Sequence, residues 1–173
     1  MKAKTKKWIA ASVENFRLPR YEEIPTVGLY LGQTAKYINE YLNPLQEGAL
    51  TASMISNYVK KHLISNPVKK QYSREQIAYL FFIAVAKSVL SLDALTNFIR
   101  VQQKTYDLKK AYDYFAAELE NLLLYTFEVK DTLDTVGQED TDEKRLLHSC
   151  IVAVIQKIYL EKCLEAIVQE ETP

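Results

Sequence analysis

The chain has 173 residues, 48% of them hydrophobic, 25% charged and only four of them glycine, the composition of an ordinary globular protein able to bury one good core. The formal net charge is zero, yet residues 1–110 hold 17 Lys+Arg against 8 Asp+Glu while residues 111–173 hold 5 against 14, a separation that suits a polyanion facing the first part. Two cysteines, Cys150 and Cys163, do not make a disulfide framework, and the longest apolar run, Ile77 to Ala86, closes at Lys87, well short of the roughly 20 residues that cross a bilayer.

Lys2, Lys4, Lys6 and Lys7 open the chain, but the apolar stretch from Trp8 to Val13 is closed by Glu14, unlike a secretory signal, so a cytoplasmic protein is expected. Period-3.6 patterns recur along the sequence and strict two-residue alternation is missing, which predicts an all-α fold apart from a short wing. Ile9, Val13 and Phe16 form the stripe of a first helix that stops at Leu18-Pro19, because proline disfavours helix in the residue before it. An extended segment, Arg20 to Pro25, follows. A second helix places Leu31, Ala35, Ile38 and Leu42 inside and Lys36, Asn39 and Glu40 outside, until Asn43-Pro44 ends it. Gln46 to Leu50 reads as a connecting turn. Thr51 is the N-cap of a short helix running to about His62, before the Ser65-Asn66-Pro67 turn.

Beyond Val68-Lys69-Lys70-Gln71-Tyr72, Ser73 with Gln76 three residues on makes a capping box that opens a buried helix to about Leu90. Ser91 starts another helix ending near Gln103. Leu108, Tyr112, Phe115, Leu119, Leu122, Thr126, Val129 and Leu133 then keep a 4-3 spacing, the seam of a bundle or coiled coil. Gly137 to Asp142 is a loop in which Thr141 caps a last helix, from about Asp142 to Gln169, apolar on most sides between Leu146 and Leu160. Such a helix needs cover on more than one face, from the preceding helix or from its counterpart in a homodimer. The expected organisation is a helix-turn-helix domain with its N-terminal helix over residues 1–103 and a long-helix region over residues 107–173, packed on the first part or separate from it.

Function is expected at the Thr51 helix. Ile55 and Val59 face inward, while Ser53, Ser56, Asn57 and Lys60 follow the i, i+3, i+4, i+7 rule on the opposite face. Short hydroxyl and amide side chains meet base edges in a major groove, and an amide pairs in bidentate fashion with adenine, so Asn57 is the best candidate reader. From Leu50 to Arg74 there is no acidic residue, while Lys60, Lys61, Lys69, Lys70 and Arg74 supply phosphate attraction. Tyr58 and Tyr72 add hydroxyls for phosphate contact. The partner this implies is duplex DNA.

Two resemblances bear on this reading. Ile55-Ser56-Asn57-Tyr58-Val59-Lys60-Lys61-His62-Leu63-Ile64, Gln71-Tyr72-Ser73-Arg74-Glu75-Gln76-Ile77 and Ser91-Leu92-Asp93-Ala94-Leu95 resemble the recognition helix, wing and following helices of MerR-type regulators, a likeness over about Leu31 to Ile99. It implies a winged helix-turn-helix, sequence-specific DNA binding and control of transcription. Ser56 stands where that family usually has arginine, His62 replaces its usual glycine, and the turn from Asn43 to Ala52 is longer than the family's tight connection. More closely, Leu18-Pro19-Arg20-Tyr21-Glu22-Glu23-Ile24-Pro25, Tyr37-Ile38-Asn39-Glu40-Tyr41-Leu42 and Ser56-Asn57-Tyr58-Val59-Lys60-Lys61 resemble a bacterial family known only as a domain of unknown function, DUF1836, over most of the chain.

An enzyme is not expected. The sequence carries no glycine-rich phosphate loop, no nucleophile with a base and no Glu-x-x-His pair. His148 lies two residues before Cys150, and such a pair on a helix diverges, so neither a metal nor another cofactor is expected. The rival expectation is a non-catalytic module in which the acidic helical C-terminal half binds another protein.

Overall fold

A computed structural model describes residues 3–45, 48–138 and 140–171. Among them it forms seven helices: α1 (Ala3–Ala11), α2 (Leu31–Leu42), α3 (Ala52–Lys60), α4 (Arg74–Ala86), α5 (Leu92–Thr105), α6 (Leu108–Thr126) and α7 (Asp142–Glu171). A two-stranded antiparallel ribbon pairs β1 (Leu29–Tyr30) with β2 (Gln71–Tyr72), Leu29 opposite Tyr72 and Tyr30 opposite Gln71. The fold is all-α.

The helix starts follow their capping residues. Thr51 accepts from Met54 N at 3.1 Å, Ser91 from Ala94 N at 3.2 Å and Asp107 from Lys110 N at 2.9 Å. Ser73 and Gln76 exchange bonds with each other's backbone in the expected capping box, an arrangement that satisfies two donors the helix cannot. The ends of α3 and α6 are alike. His62 and Glu128 adopt positive φ, 57° each, while Leu63 N donates to Tyr58 O and Val129 N to Leu124 O at 2.9 Å. Both are Schellman stops, which usually take glycine.

The centre of the molecule is α4. Ten of its thirteen residues are buried, from Gln76 to Ala86 with only Tyr79 of that stretch half-buried, so it offers no solvent face and must be enclosed. The enclosure comes from α2 on one side and α6 and α7 on others. Phe81 is fully buried, edge-on to Tyr37 and Tyr41 of α2 and tilted against Tyr112 of α6, while Phe82 meets Phe98 of α5 and Phe115 of α6. One cluster of buried side chains accordingly runs from Ile9 to Ala166.

Several expectations change on this frame. The seam from Leu108 to Leu133 is largely spent inside the molecule: Tyr112, Phe115, Leu119 and Leu122 are buried within it, α6 stops at Thr126, and Leu133 is exposed in the segment beyond. Its apolar edge is consumed by α4 and α7. The first helix ends at Ala11, yet Val13 and Phe16 are buried in the turns after it. The segment Arg20 to Pro25 holds a short 3-10 turn at Tyr21–Glu23, because the Glu23 carboxylate accepts from Arg20 N at 2.6 Å. Asn39, expected on the outer face of its helix, turns to the connection instead, giving Nδ2 to Leu50 O at 2.9 Å and taking Leu50 N on Oδ1 at 2.8 Å. The turn expected at Gln46 to Leu50 lies partly outside the described residues, at Gln46 and Glu47, as do Lys2, the Lys4 side chain and Glu139 of the loop before α7.

A strap of residues 17–25 crosses the bundle. Leu18 N and the Arg20 guanidinium both bond Glu120 of α6, Arg20 with two contacts of 2.7 Å, and Tyr21 N donates to Asp113 at 2.7 Å. The two-pronged geometry and partial burial make this pair stronger than an exposed one.

One side chain opposes the fold. Lys162 is 2% exposed on the buried face of α7 and its Nζ has no hydrogen-bond partner. Burial lowers its pKa from 10.5. A lysine depressed in this way imposes its full cost while the folded chain still holds the proton, and the cost eases as pH climbs through the folded pKa toward 10.5. Lys162→Met should therefore raise stability at neutral pH by about 1–3 kcal/mol, read from urea unfolding, and the gap from the parent should narrow as the pH is raised into that alkaline window.

Candidate nucleic-acid interface

The residues expected to touch DNA are carried by α3 and by the hairpin after it. Both rest on α2. The start of α3 is fixed by the Thr51 cap and by the Asn39 clamp on Leu50. Ile55 is fully buried and Val59 half-buried, and the opposite face carries Ser53, Ser56, Asn57 and Lys60, all exposed. The loop leaving α3 is held by Gln76, whose buried amide gives Nε2 to Ser65 O at 2.8 Å. That contact ties the exit of α3 to the first turn of α4.

Between them lies the ribbon. Val68 and Gln71 exchange backbone bonds of 3.1 and 2.9 Å around a two-residue tip, Lys69-Lys70, with φ of 49° and 64°. Positive φ at both central residues is the geometry of a type I′ turn, for which Asn-Gly is the favoured pair. Here two lysines occupy it. Gly28, just before β1, is needed for close approach, since a Cβ there would stand 2.8 Å from Gln71 Cβ.

Lys60, Lys61, Lys69 and Lys70 are exposed and none forms an ion pair among the described residues. The remaining three expected contacts are turned inward. Tyr58 and Tyr72 are 7% and 4% exposed, and burial raises the pKa of each phenol. Both serve the core, where an aromatic ring contributes far more by burial than by a phosphate contact. Arg74 gives Nε to Ile24 O at 2.8 Å and Nη1 to Glu22 at 2.5 Å, and lies 5.5 Å over the Tyr21 ring. Lys109 joins it on Glu22 at 2.8 Å, and these two partners, Lys109 first, pull the Glu22 carboxyl below its ordinary range. Arg74 is thus a tie between strap and α4. Glu22 and Lys109 are 87 residues apart, beyond any spacing rule, and the left-handed pair at 69–70 has no turn-forming residue type to announce it.

Elsewhere, His148 Nδ1 lies 2.6 Å from Glu118 Oε1 and Cys150 is buried, its thiol pushed up to about 11 by burial. Among the described residues no cluster of three or more His, Cys, Asp or Glu is placed to hold a metal ion, and no helix is long and apolar enough to cross a membrane.

Replacing Lys69-Lys70 by Asn-Gly tests the strain at the tip. The double variant should be more stable than the parent by about 1 kcal/mol, measured by urea unfolding, and the opposite sign would show the turn to be relaxed as it stands.

Among known families, the model of the one described as a domain of unknown function, DUF1836, matches residues 19–115, more than half of the chain. The matched span runs from the strap through α2, α3, the ribbon, α4 and α5 into α6. No curated protein and no solved structure matches.

Proposed function

The chain belongs to the DUF1836 family, and we propose that it is a cytoplasmic DNA-binding regulator of transcription, MerR-like in its winged helix-turn-helix and without chemistry of its own. In this reading α3 enters the major groove and the lysine-tipped hairpin is the wing. The observation that carries it is one exposed face, Ser53, Ser56, Asn57 and Lys60, flanked by Lys61, Lys69 and Lys70, within a stretch from Leu50 to Arg74 that has no acidic residue. Amides and hydroxyls on that face can meet base edges, and the lysines add attraction to phosphate that no carboxylate within that stretch cancels. His62 supports the likeness despite replacing glycine, since it takes glycine's conformation. Ser56 removes one arginine contact, which leaves Asn57 as the principal reader.

Fluorescence anisotropy with labelled duplex between about 50 and 200 mM salt is the test. Affinity should fall steeply with salt, and Lys60→Ala, Lys61→Ala, Lys69→Ala and Lys70→Ala together should flatten the slope by about 0.9 for each phosphate that is no longer neutralised. On the preferred sequence Asn57→Ala should cost about 1–3 kcal/mol of discrimination. No binding at low salt would overturn the reading.

A homodimer is the second part of the proposal, through α7 rather than α6. Ala153, Leu160 and Ile167 recur at seven-residue intervals, all exposed, and Leu164 lies beside them, 53% exposed. Apolar side chains at a seven-residue repeat are what one helix offers another. Sedimentation of the parent chain at micromolar concentration should give the mass of a pair, and Leu160→Glu with Leu164→Glu should give that of a single chain. The acidic C-terminal half as a dock for a different protein would instead leave the parent monomeric.

A further inference from the structure

A cavity of about 510 Å3 lies between α5, α6 and the start of α7, with Val136 and Gly137 at its edge. Its volume falls within the range of sites that enclose a small molecule. The α6 wall helps to explain the space: Ala111 and Ala117 flank Tyr114, so two of the five α6 side chains that line it stop at Cβ. Apolar groups line the opening without filling it, Val101 and Leu146 being 38% and 53% exposed.

The charges around the cavity decide what fits. Two lysines, Lys110 and Lys144, oppose two acids, Asp113 and Glu143. Lys144 is held on Gly137 O at 3.0 Å and lies 5.2 Å over the Tyr114 ring, Lys110 lies 5.0 Å over the Tyr106 ring, and Asp113 accepts from Tyr21 N. The signs cancel and three of the four groups are already engaged, so an ionic ligand gains no counter-charge. The walls include the rings of Phe98, Tyr106 and Tyr114, which favour stacked or edge-on contact with another ring. We propose that the cavity between α5, α6 and α7 binds an uncharged, largely apolar small molecule with an aromatic framework.

The site is independent of any contact with DNA, and so is its test. The neutral dye N-phenyl-1-naphthylamine, titrated into the full chain, should give saturable fluorescence at one dye per chain, and the anionic dye 1-anilinonaphthalene-8-sulfonate should bind at least tenfold more weakly. Ala117→Trp, which fills the cavity from α6, should weaken the neutral dye at least tenfold. Val101→Glu, at an exposed position on the same cavity's α5 wall, should do the same and decides the matter if the tryptophan variant fails to fold. Leu160→Glu with Leu164→Glu, on the exposed stripe of α7, should leave the dye in place. No saturable binding, anionic dye equal to neutral, affinity unchanged by the cavity variants, loss with the α7 stripe variant, or dye expelled as rising protein concentration closes a second copy over the opening would each overturn the proposal.

Discussion

Everything in this molecule is arranged around a helix that has no outside. With apolar side chains on nearly every face of α4, each worth about 1.5–3 kcal/mol when buried, the helix is stable only inside a shell. The shell draws on both ends of the sequence, α2 before it and α6 and α7 after it. The two parts expected to divide between residues 103 and 107 therefore share one core. The candidate interface inherits its geometry from the same source. The first turn of α4 follows directly on β2, and Gln76 holds the loop after α3, so the direction in which α4 leaves the core sets where hairpin and α3 stand.

Helices were legible wherever the cause was local. Thr51, Ser73 and Ser91 are short polar side chains placed just before apolar periodicity, and each caps a helix in the structure. The outer face of α3 was legible for the same reason, since helical spacing alone sorts Ser53, Ser56, Asn57 and Lys60 from Ile55 and Val59. What spacing could not reveal is competition between distant groups for one side chain. Tyr58, Tyr72 and Arg74 had plausible surface roles on the strength of their neighbours, but the core took the two rings and Glu22 took the guanidinium. The 4-3 pattern on α6 was equally real and equally ambiguous: the repeat identifies an apolar edge, and whether that edge meets the same chain or another depends on what α4 and α7 leave uncovered.

The charge asymmetry has the same double character. The acidic half does not merely face solvent. Asp113 and Glu120 reach back to the strap, where Glu120 holds Arg20 and Asp113 holds Tyr21 N. Part of the excess of either sign is thus neutralised inside the molecule, between segments that the sequence places far apart. The lysines at 60, 61, 69 and 70 stand outside this pairing, and so α3 and the hairpin keep an uncompensated share of the basic character of the first part.

The strap also sets a schedule. Its partners on α6 lie about a hundred positions downstream, with separations of 102 for Leu18, 100 for Arg20 and 92 for Tyr21. A ribosome adds about 5–20 residues per second, so Arg20 is made on the order of 5–20 seconds before Glu120 exists. Over that interval α2 to α5 can gather around Phe81 and Phe82 with the strap's tie to Arg74 available and its bonds to α6 still missing. Closing so long a loop also carries an entropy cost that local helices escape. The α6 side of the strap is therefore seated later than its α4 side, since Glu120 is made well after Arg74, and the bond from Arg20 to Glu120 can only follow the availability of the tie from Arg74 to Glu22.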